Sequence, residues 1–195
     1  MFPPLPPATR LLILVNVAVF LVQQAYGNTM IRLFALWPLG SGLFEPWQLL
    51  TYAFLHGSVL HIFVNMVALY FFGSALEMYW GGRRLVIYFL VCALTAALTQ
   101  LAVRGAPGSF IPVIGASGGI FGVLLAFAWY FPRQRILLYA VIPMPAWLFV
   151  TAYGLLELFF GVSGVEPGVA HFAHLGGLAG GALCILYWRM RHRFA

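Results

Sequence analysis

Apolar runs of transmembrane length fill this chain and leave few alternatives to a helical membrane protein. Bounded by arginine, proline and glycine, they fall at approximately 10–27, 59–79, 84–103, 115–131, 136–160 and 169–188. Each is near the ~20 residues that carry a helix across about 30 Å of hydrocarbon. Composition points the same way: with 63% hydrophobic and 7% charged residues, the chain has too little polar surface to coat a water-soluble globule. The expected fold is an all-α integral membrane protein, one domain over residues 1–195 with six transmembrane helices. The opening MFPPLPPATR has prolines where a transit peptide carries arginines, and no small-residue cleavage site follows the first apolar run, which therefore reads as a retained helix.

Residues 28–58, between the first two spans, are too apolar to float in water and too broken to span. They are expected to lie in the membrane interface, with Trp37 and Trp47 at headgroup depth. The chain has no lysine. Arg10, Arg83, Arg84, Arg133, Arg135, Arg189, Arg191 and Arg193 fall on one side of a six-span arrangement, and Arg32 and Arg104 on the other. By the positive-inside rule the first side, with both termini, is cytoplasmic. The net charge of +6 serves this asymmetry and anionic lipid headgroups, and no basic cluster with interleaved aromatics argues for nucleic acid. Cys92 and Cys184 fall mid-span and read as packing residues, not as a disulfide or metal pair.

Polar groups inside a membrane are expensive and are functional candidates. Ser117, His61, Asn65, His171 and His174 all lie near the outer starts of spans four, two and six, so residues far apart in sequence share one depth. Glycine spacing adds to this. Gly115, Gly118, Gly119 and Gly122 share an arc of span four, and His174, Gly177 and Gly181 share an arc of span six; such small-residue stripes let helices approach closely. If span six packs on span four, His174 comes within reach of Ser117. His61 and Asn65, at i and i+4, share one face of span two. The chain has no Asp, and its Glu residues are Glu45, Glu77, Glu157 and Glu166. This is poor material for a Ser-His-carboxylate triad, so the natural reading is a dyad: His174 as general base to Ser117. The Ser117 backbone amide, at the positive end of a helix, would donate to an oxyanion alongside His61 and Asn65.

The motifs around these residues resemble the rhomboid intramembrane serine proteases. GASGGIFG surrounds Ser117, HGSVLHIFVN carries His56, His61 and Asn65, and AHLGGLAGG carries His174, Gly177 and Gly181. The resemblance implies a six-helix rhomboid-like bundle with a membrane-embedded first loop, Ser117 as nucleophile, His174 as base, His61 and Asn65 at the oxyanion, and His56 organising their surroundings. Two positions depart from the best-known members: Phe121 stands where a tyrosine often stacks on the catalytic histidine, and Gln48 follows Trp47 where an arginine is common.

Each feature has a plainer reading. A serine among glycines in a membrane helix is commonly a packing residue, and His56 and His171 read first as hydrogen-bonded helix anchors. Glu77 and Glu157 suit structural pairing or snorkelling better than a transporter's proton relay. His61, His171 and His174 could suggest zinc, but no His-Glu-x-x-His helix or cysteine set accompanies them. The leading expectation is a protease of a bacterial plasma membrane, its site opening to the extracytoplasmic side, cutting membrane-anchored proteins without metal or organic cofactor. A catalytically inactive relative that binds membrane proteins is the alternative, and a small transporter a more distant one. The oligomeric state is not encoded in any of these features.

Overall fold

The computed structural model describes residues 5–104, 111–138, 141–164 and 169–193; Glu166 lies outside them. Regular structure among the described residues is helical apart from one antiparallel pair of strands and an isolated Leu36–Val113 bridge. Helix α1 covers Pro7–Phe34; a 3-10 turn at Leu39–Ser41, a short α2 at Gln48–Thr51 and a second 3-10 turn at Tyr52–Phe54 follow. Then α3 (Val59–Ala68) passes through a π turn at Leu69–Gly73 into α4 (Ser74–Trp80). The remainder is α5 (Gly82–Arg104), α6 (Ser117–Tyr130), strands β1 (Arg135–Leu138) and β2 (Ile142–Pro145), α7 (Ala146–Ser163) and α8 (His171–Arg193). Among the described residues, four helical stretches are long and apolar enough to cross a membrane: Pro7–Phe34, Val59–Trp80, Gly82–Val103 and Ala146–Ser163, with α6 a shorter apolar helix.

Two boundaries differ from the sequence reading. The first helix bends at residue 27 instead of ending there: Gly27 adopts φ 36° and ψ −112°, and helix resumes to Phe34. A backbone of this shape favours glycine. Residues 136–138 and 142–145, expected to begin the fifth span, instead lie in two antiparallel strands with Arg135 opposite Pro145. Pro143 and Pro145 explain this, because a proline inside a helix removes a hydrogen bond and clashes with the preceding turn, whereas Pro145 serves as N-cap of α7.

The connection after α1 is a docked scaffold. Ala35, Leu36, Tyr52, Ala53 and Leu55 are fully buried in it. Gln48, also buried, donates to Leu43 O at 3.0 Å and accepts from Trp37 N at 3.3 Å, so the amide pins the loop internally. Leu33 O, at the end of α1, accepts from Trp47 Nε1 at 2.8 Å and from Gln48 Nε2 at 3.4 Å, which satisfies a carbonyl that the helix leaves open. At the other end of α1, Glu77 of α4 accepts from Ala8 N, Thr9 N and Thr9 Oγ1 at 2.8, 2.6 and 2.7 Å. A carboxylate there satisfies orphan amides and meets the positive end of the helix, which gives buried Glu77 a structural task.

Helix α8 lies against both α5 and α6, using two adjacent glycine faces. A Cβ on Gly176 or Gly180 would strike Thr99 or Thr95 of α5; one on Gly177 or Gly181 would strike the Gly118 carbonyl of α6 or the Tyr88 hydroxyl of α5. Among lipid tails there is little hydrophobic gain in helix association, so van der Waals contact at this close range carries it. Cys92 fills the space over Gly122 and is a free, buried packing residue. Gly177→Leu is therefore expected to lower stability by at least about 1–3 kcal/mol through overpacking, whereas Gly40→Leu, with open space around it, should be close to neutral. Thermal unfolding of both variants in one detergent checks this; equal midpoints would show that α8 can leave α6 without cost.

Candidate active site

Ser117 is the first residue of α6, so its amide is among the orphan donors of the helix start. The strand of chain before it is held by the loop. Leu36 and Val113 exchange backbone hydrogen bonds of 3.0 and 2.9 Å, Gly115 N donates to Tyr52 O at 3.0 Å, and Tyr52 OH donates to Ala93 O at 2.8 Å. Gly115 has φ 126°, and a Cβ there would lie 2.7 Å from the His61 ring. Both backbone shape and space demand glycine at this position.

The structure brings His174 to Ser117: Nε2 and Oγ are 2.8 Å apart. Phe121, one turn along α6, stacks on the imidazole with centroids 4.3 Å apart and planes 9° from parallel. The ring's other nitrogen, Nδ1, stands 2.9 Å from Glu157 Oε2 of α7. This is ion-pair distance, although the approach is off the hydrogen-bond axis. His171 Nδ1 meets the same carboxylate oxygen at 2.6 Å. For the Ser117 hydroxyl to donate to Nε2, that nitrogen must be unprotonated, and an acidic neighbour at Nδ1 favours the tautomer with the proton there.

His61 and Asn65 stand across from this pair on α3. Ser58 caps the helix by accepting from His61 N at 3.1 Å, which fixes His61 in the first turn and Asn65 one turn on. Gly57 N approaches His61 Nδ1 at 3.4 Å, and an accepting Nδ1 leaves Nε2 to donate. Asn65 is buried, and its Nδ2 meets no acceptor among the described residues. An unmet buried donor costs about 1–3 kcal/mol, and such cost is retained where a ligand group supplies the acceptor. His56 sits behind His61 with ring centroids 5.1 Å apart, its backbone tied to Gln23 of α1 through Gln23 Nε2→His56 O (2.7 Å) and His56 N→Gln23 Oε1 (3.0 Å). Burial, with the charge of His61 a smaller cause, lowers His56 to about 4, so its imidazole is neutral at physiological pH. Its contact is with His61, not with the serine.

A cavity of about 1950 Å³ opens beside these groups. His61, Asn65, Ser117 and His174 line its polar end, and Phe71, Phe72, Phe127 and Leu156 line its length between α3–α4 and α7. That volume exceeds the roughly 300–1,000 Å³ of small-molecule pockets, and suits a polypeptide segment. Glu157, His171 and His174 also group their ligand atoms within 4.8 Å. However, two ligands about 2.0 Å from a tetrahedral ion stand roughly 3.3 Å apart, and the separations of 2.6 and 2.9 Å are shorter than that.

The sequence reading anticipated the grouping of Ser117, His174, His61 and Asn65, with Gly177 and Gly181 at the close approach. Structural pairing was expected for Glu157 and is seen with His171, but its second approach, to His174, was not expected. Depth was the available signal: Glu157 lies in the half of α7 nearer the start of α8, level with the histidines.

Residues 43–191 match the family model of the Rhomboid domain. Over 187 residues the chain is 28% identical to the Rhomboid protease GlpG of Klebsiella pneumoniae subsp. pneumoniae, and equally to that of Klebsiella pneumoniae strain 342, covering 90% of this chain and 60% of each relative. The chain thus spans about 60% of the length of the curated relatives it matches. With its long apolar helices it is an integral membrane protein, and the domain match over most of its length shows that the chain belongs to the rhomboid family.

Proposed function

We propose that this protein is an intramembrane serine endopeptidase that cleaves membrane-anchored proteins near the outer end of a transmembrane helix. The observation that carries the reading is the 2.8 Å contact between Ser117 Oγ and His174 Nε2 beside the unmet donor of Asn65. Ser117 Oγ attacks the scissile carbonyl carbon while its proton passes to His174 Nε2. Negative charge on the carbonyl oxygen is met by Asn65 Nδ2, His61 Nε2 and the Ser117 amide; one such donor is worth roughly 100- to 1,000-fold in rate. Collapse breaks the C–N bond, and His174 returns the proton to the leaving amine. Water, activated by the same histidine, then hydrolyses the acyl-enzyme. No metal or organic cofactor enters these steps.

In this reading α1, α3–α4, α5, α6, α7 and α8 are the six membrane helices, both termini are cytoplasmic, and the site opens to the extracytoplasmic side, as the arginine distribution implies. A bacterial plasma membrane suits that arrangement. Lipid and transmembrane substrates are the partners, and the cavity between α3–α4 and α7 is the substrate's route to Ser117.

Nucleophile and base act as one unit, so Ser117→Ala and His174→Ala should each cost nearly as much activity as the double change. Cleavage of a transmembrane reporter by the three variants tests the dyad, and wild-type-like cleavage by either single variant would sink it. Gly115→Ala is expected to reduce cleavage by roughly 100-fold, because the added methyl meets His61 and strains the chain leading into the serine; undiminished turnover would place the oxyanion elsewhere. On the substrate side, Ser117 reaches only a carbonyl released from its own helix. Gly and Pro ease that unwinding by roughly 1 and 3 kcal/mol relative to Ala. Cleavage is therefore expected in the outer third of the substrate helix, after a small residue, with helix breakers downstream. Mass spectrometry of products from a reporter with Gly-Pro replaced by Leu-Leu checks this: unchanged cleavage, or cuts at the cytoplasmic end, would contradict the outward-facing site.

A further inference from the structure

The carboxylate beside the histidine base has no part in a two-residue mechanism, yet it is placed with care. Glu157 is almost wholly buried, in a helix otherwise free of charged residues. An intramembrane carboxylate is costly unless paired. Its pairing is one-sided: a single oxygen, Oε2, meets both His171 Nδ1 at 2.6 Å and His174 Nδ1 at 2.9 Å. His171 and His174 are i and i+3 on α8, so one face of that helix delivers both nitrogens to one atom of α7. If Glu157 were only an anchor between α7 and α8, the contact with His171 would suffice. The second contact falls on the nitrogen opposite the one that meets Ser117.

We infer that Glu157 is a positioning residue for the hydrolysis, completing a Ser117–His174–Glu157 line in which His171 holds the carboxylate in place. This rests on the serine-protease reading above. Glu157 keeps the proton of neutral His174 on Nδ1, leaving Nε2 free to accept from Ser117 Oγ. When that proton arrives, His174 carries a positive charge in a site walled by Phe121 and hydrocarbon, and the carboxylate 2.9 Å away stabilises it. Glu157 itself takes no proton. The proton goes from Oγ to Nε2 and then to the leaving amine, while the Oγ–C bond forms and the C–N bond breaks. The off-axis approach of Nδ1 is no obstacle, because catalytic contacts in unliganded sites commonly tighten only when substrate is bound. In soluble triads the change of the buried carboxylate to its amide leaves geometry intact and still costs about 10,000-fold in kcat.

The test is steady-state cleavage of a transmembrane reporter by the full chain in detergent, with thermal unfolding measured alongside. The variants are Glu157→Gln, Glu157→Asp and His171→Asn, with Ser117→Ala as the baseline. Glu157→Gln is expected to lower kcat by roughly 100-fold or more, with KM within about twofold and the unfolding midpoint close to wild type. Glu157→Asp, which keeps the charge, should recover part of that loss, and His171→Asn, which removes only the carboxylate's support, should cost about tenfold. The inference is overturned if Glu157→Gln keeps kcat within about threefold of wild type, if only KM changes, or if Glu157→Asp is no better than Glu157→Gln. Should Glu157→Gln fail to fold, Glu157→Met, apolar and of similar length, is judged by the same kcat criteria. Wild-type cleavage that persists in Ser117→Ala would overturn the serine-protease reading itself, and this inference with it.

Discussion

Helices in hydrocarbon gain little by hiding apolar side chains from one another, so contact distance decides how α8 sits. Its paired glycine faces, Gly176 and Gly180 toward α5 and Gly177 and Gly181 toward α6 and Tyr88, permit a separation that any side chain would forbid. The 2.8 Å contact of His174 with Ser117 is a consequence of that approach. Ser117 is the first residue of α6 and His174 the fourth of α8, just ahead of Gly176 and Gly177, so the close approach of the axes carries one to the other. Packing and chemistry are thus set by the same short stretch of α8.

A second constraint is that the irregular backbone before Ser117 must be satisfied without help from a helix. The loop after α1 does this, through the Leu36–Val113 pairing and the Gly115–Tyr52 bond. Tyr52 is buried at that junction, and buried Gln48 ties the loop to itself and to the end of α1. The loop therefore works as a mould for the start of α6. His56 belongs to the same scaffold: neutral, tied to α1 by its backbone, and touching His61 through ring contact alone.

Much of this was legible in the sequence because hydrocarbon makes polar residues conspicuous. Ser117, His61, Asn65 and His174 stood out by depth, and the glycine stripes indicated which helices meet. What stayed hidden has physical reasons. The sequence that holds the paired strands Arg135–Leu138 and Ile142–Pro145 is apolar enough to pass for part of a span, and Pro143 and Pro145 mark it as something else. The continuation of α1 beyond Gly27 depends on an unusual glycine backbone, which composition does not reveal. Glu157 was visible, but its partners depend on the rotation of α7, and the weak amphipathicity of a helix apolar nearly all round gives no face to read. Phe121 is instructive in the opposite sense: lacking a hydroxyl, it still stacks on His174, so the aromatic plane alone meets the packing requirement.

The central claim is that Ser117 is a nucleophile made reactive by His174. The most direct measurement is peptide mapping of the purified protein after reaction with a fluorophosphonate, which bonds only to an activated hydroxyl. The account predicts a single adduct, on Ser117, that is absent from Ser117→Ala and reduced to background in His174→Ala. An adduct on any other residue, or labelling of Ser117 at full rate without His174, would contradict it.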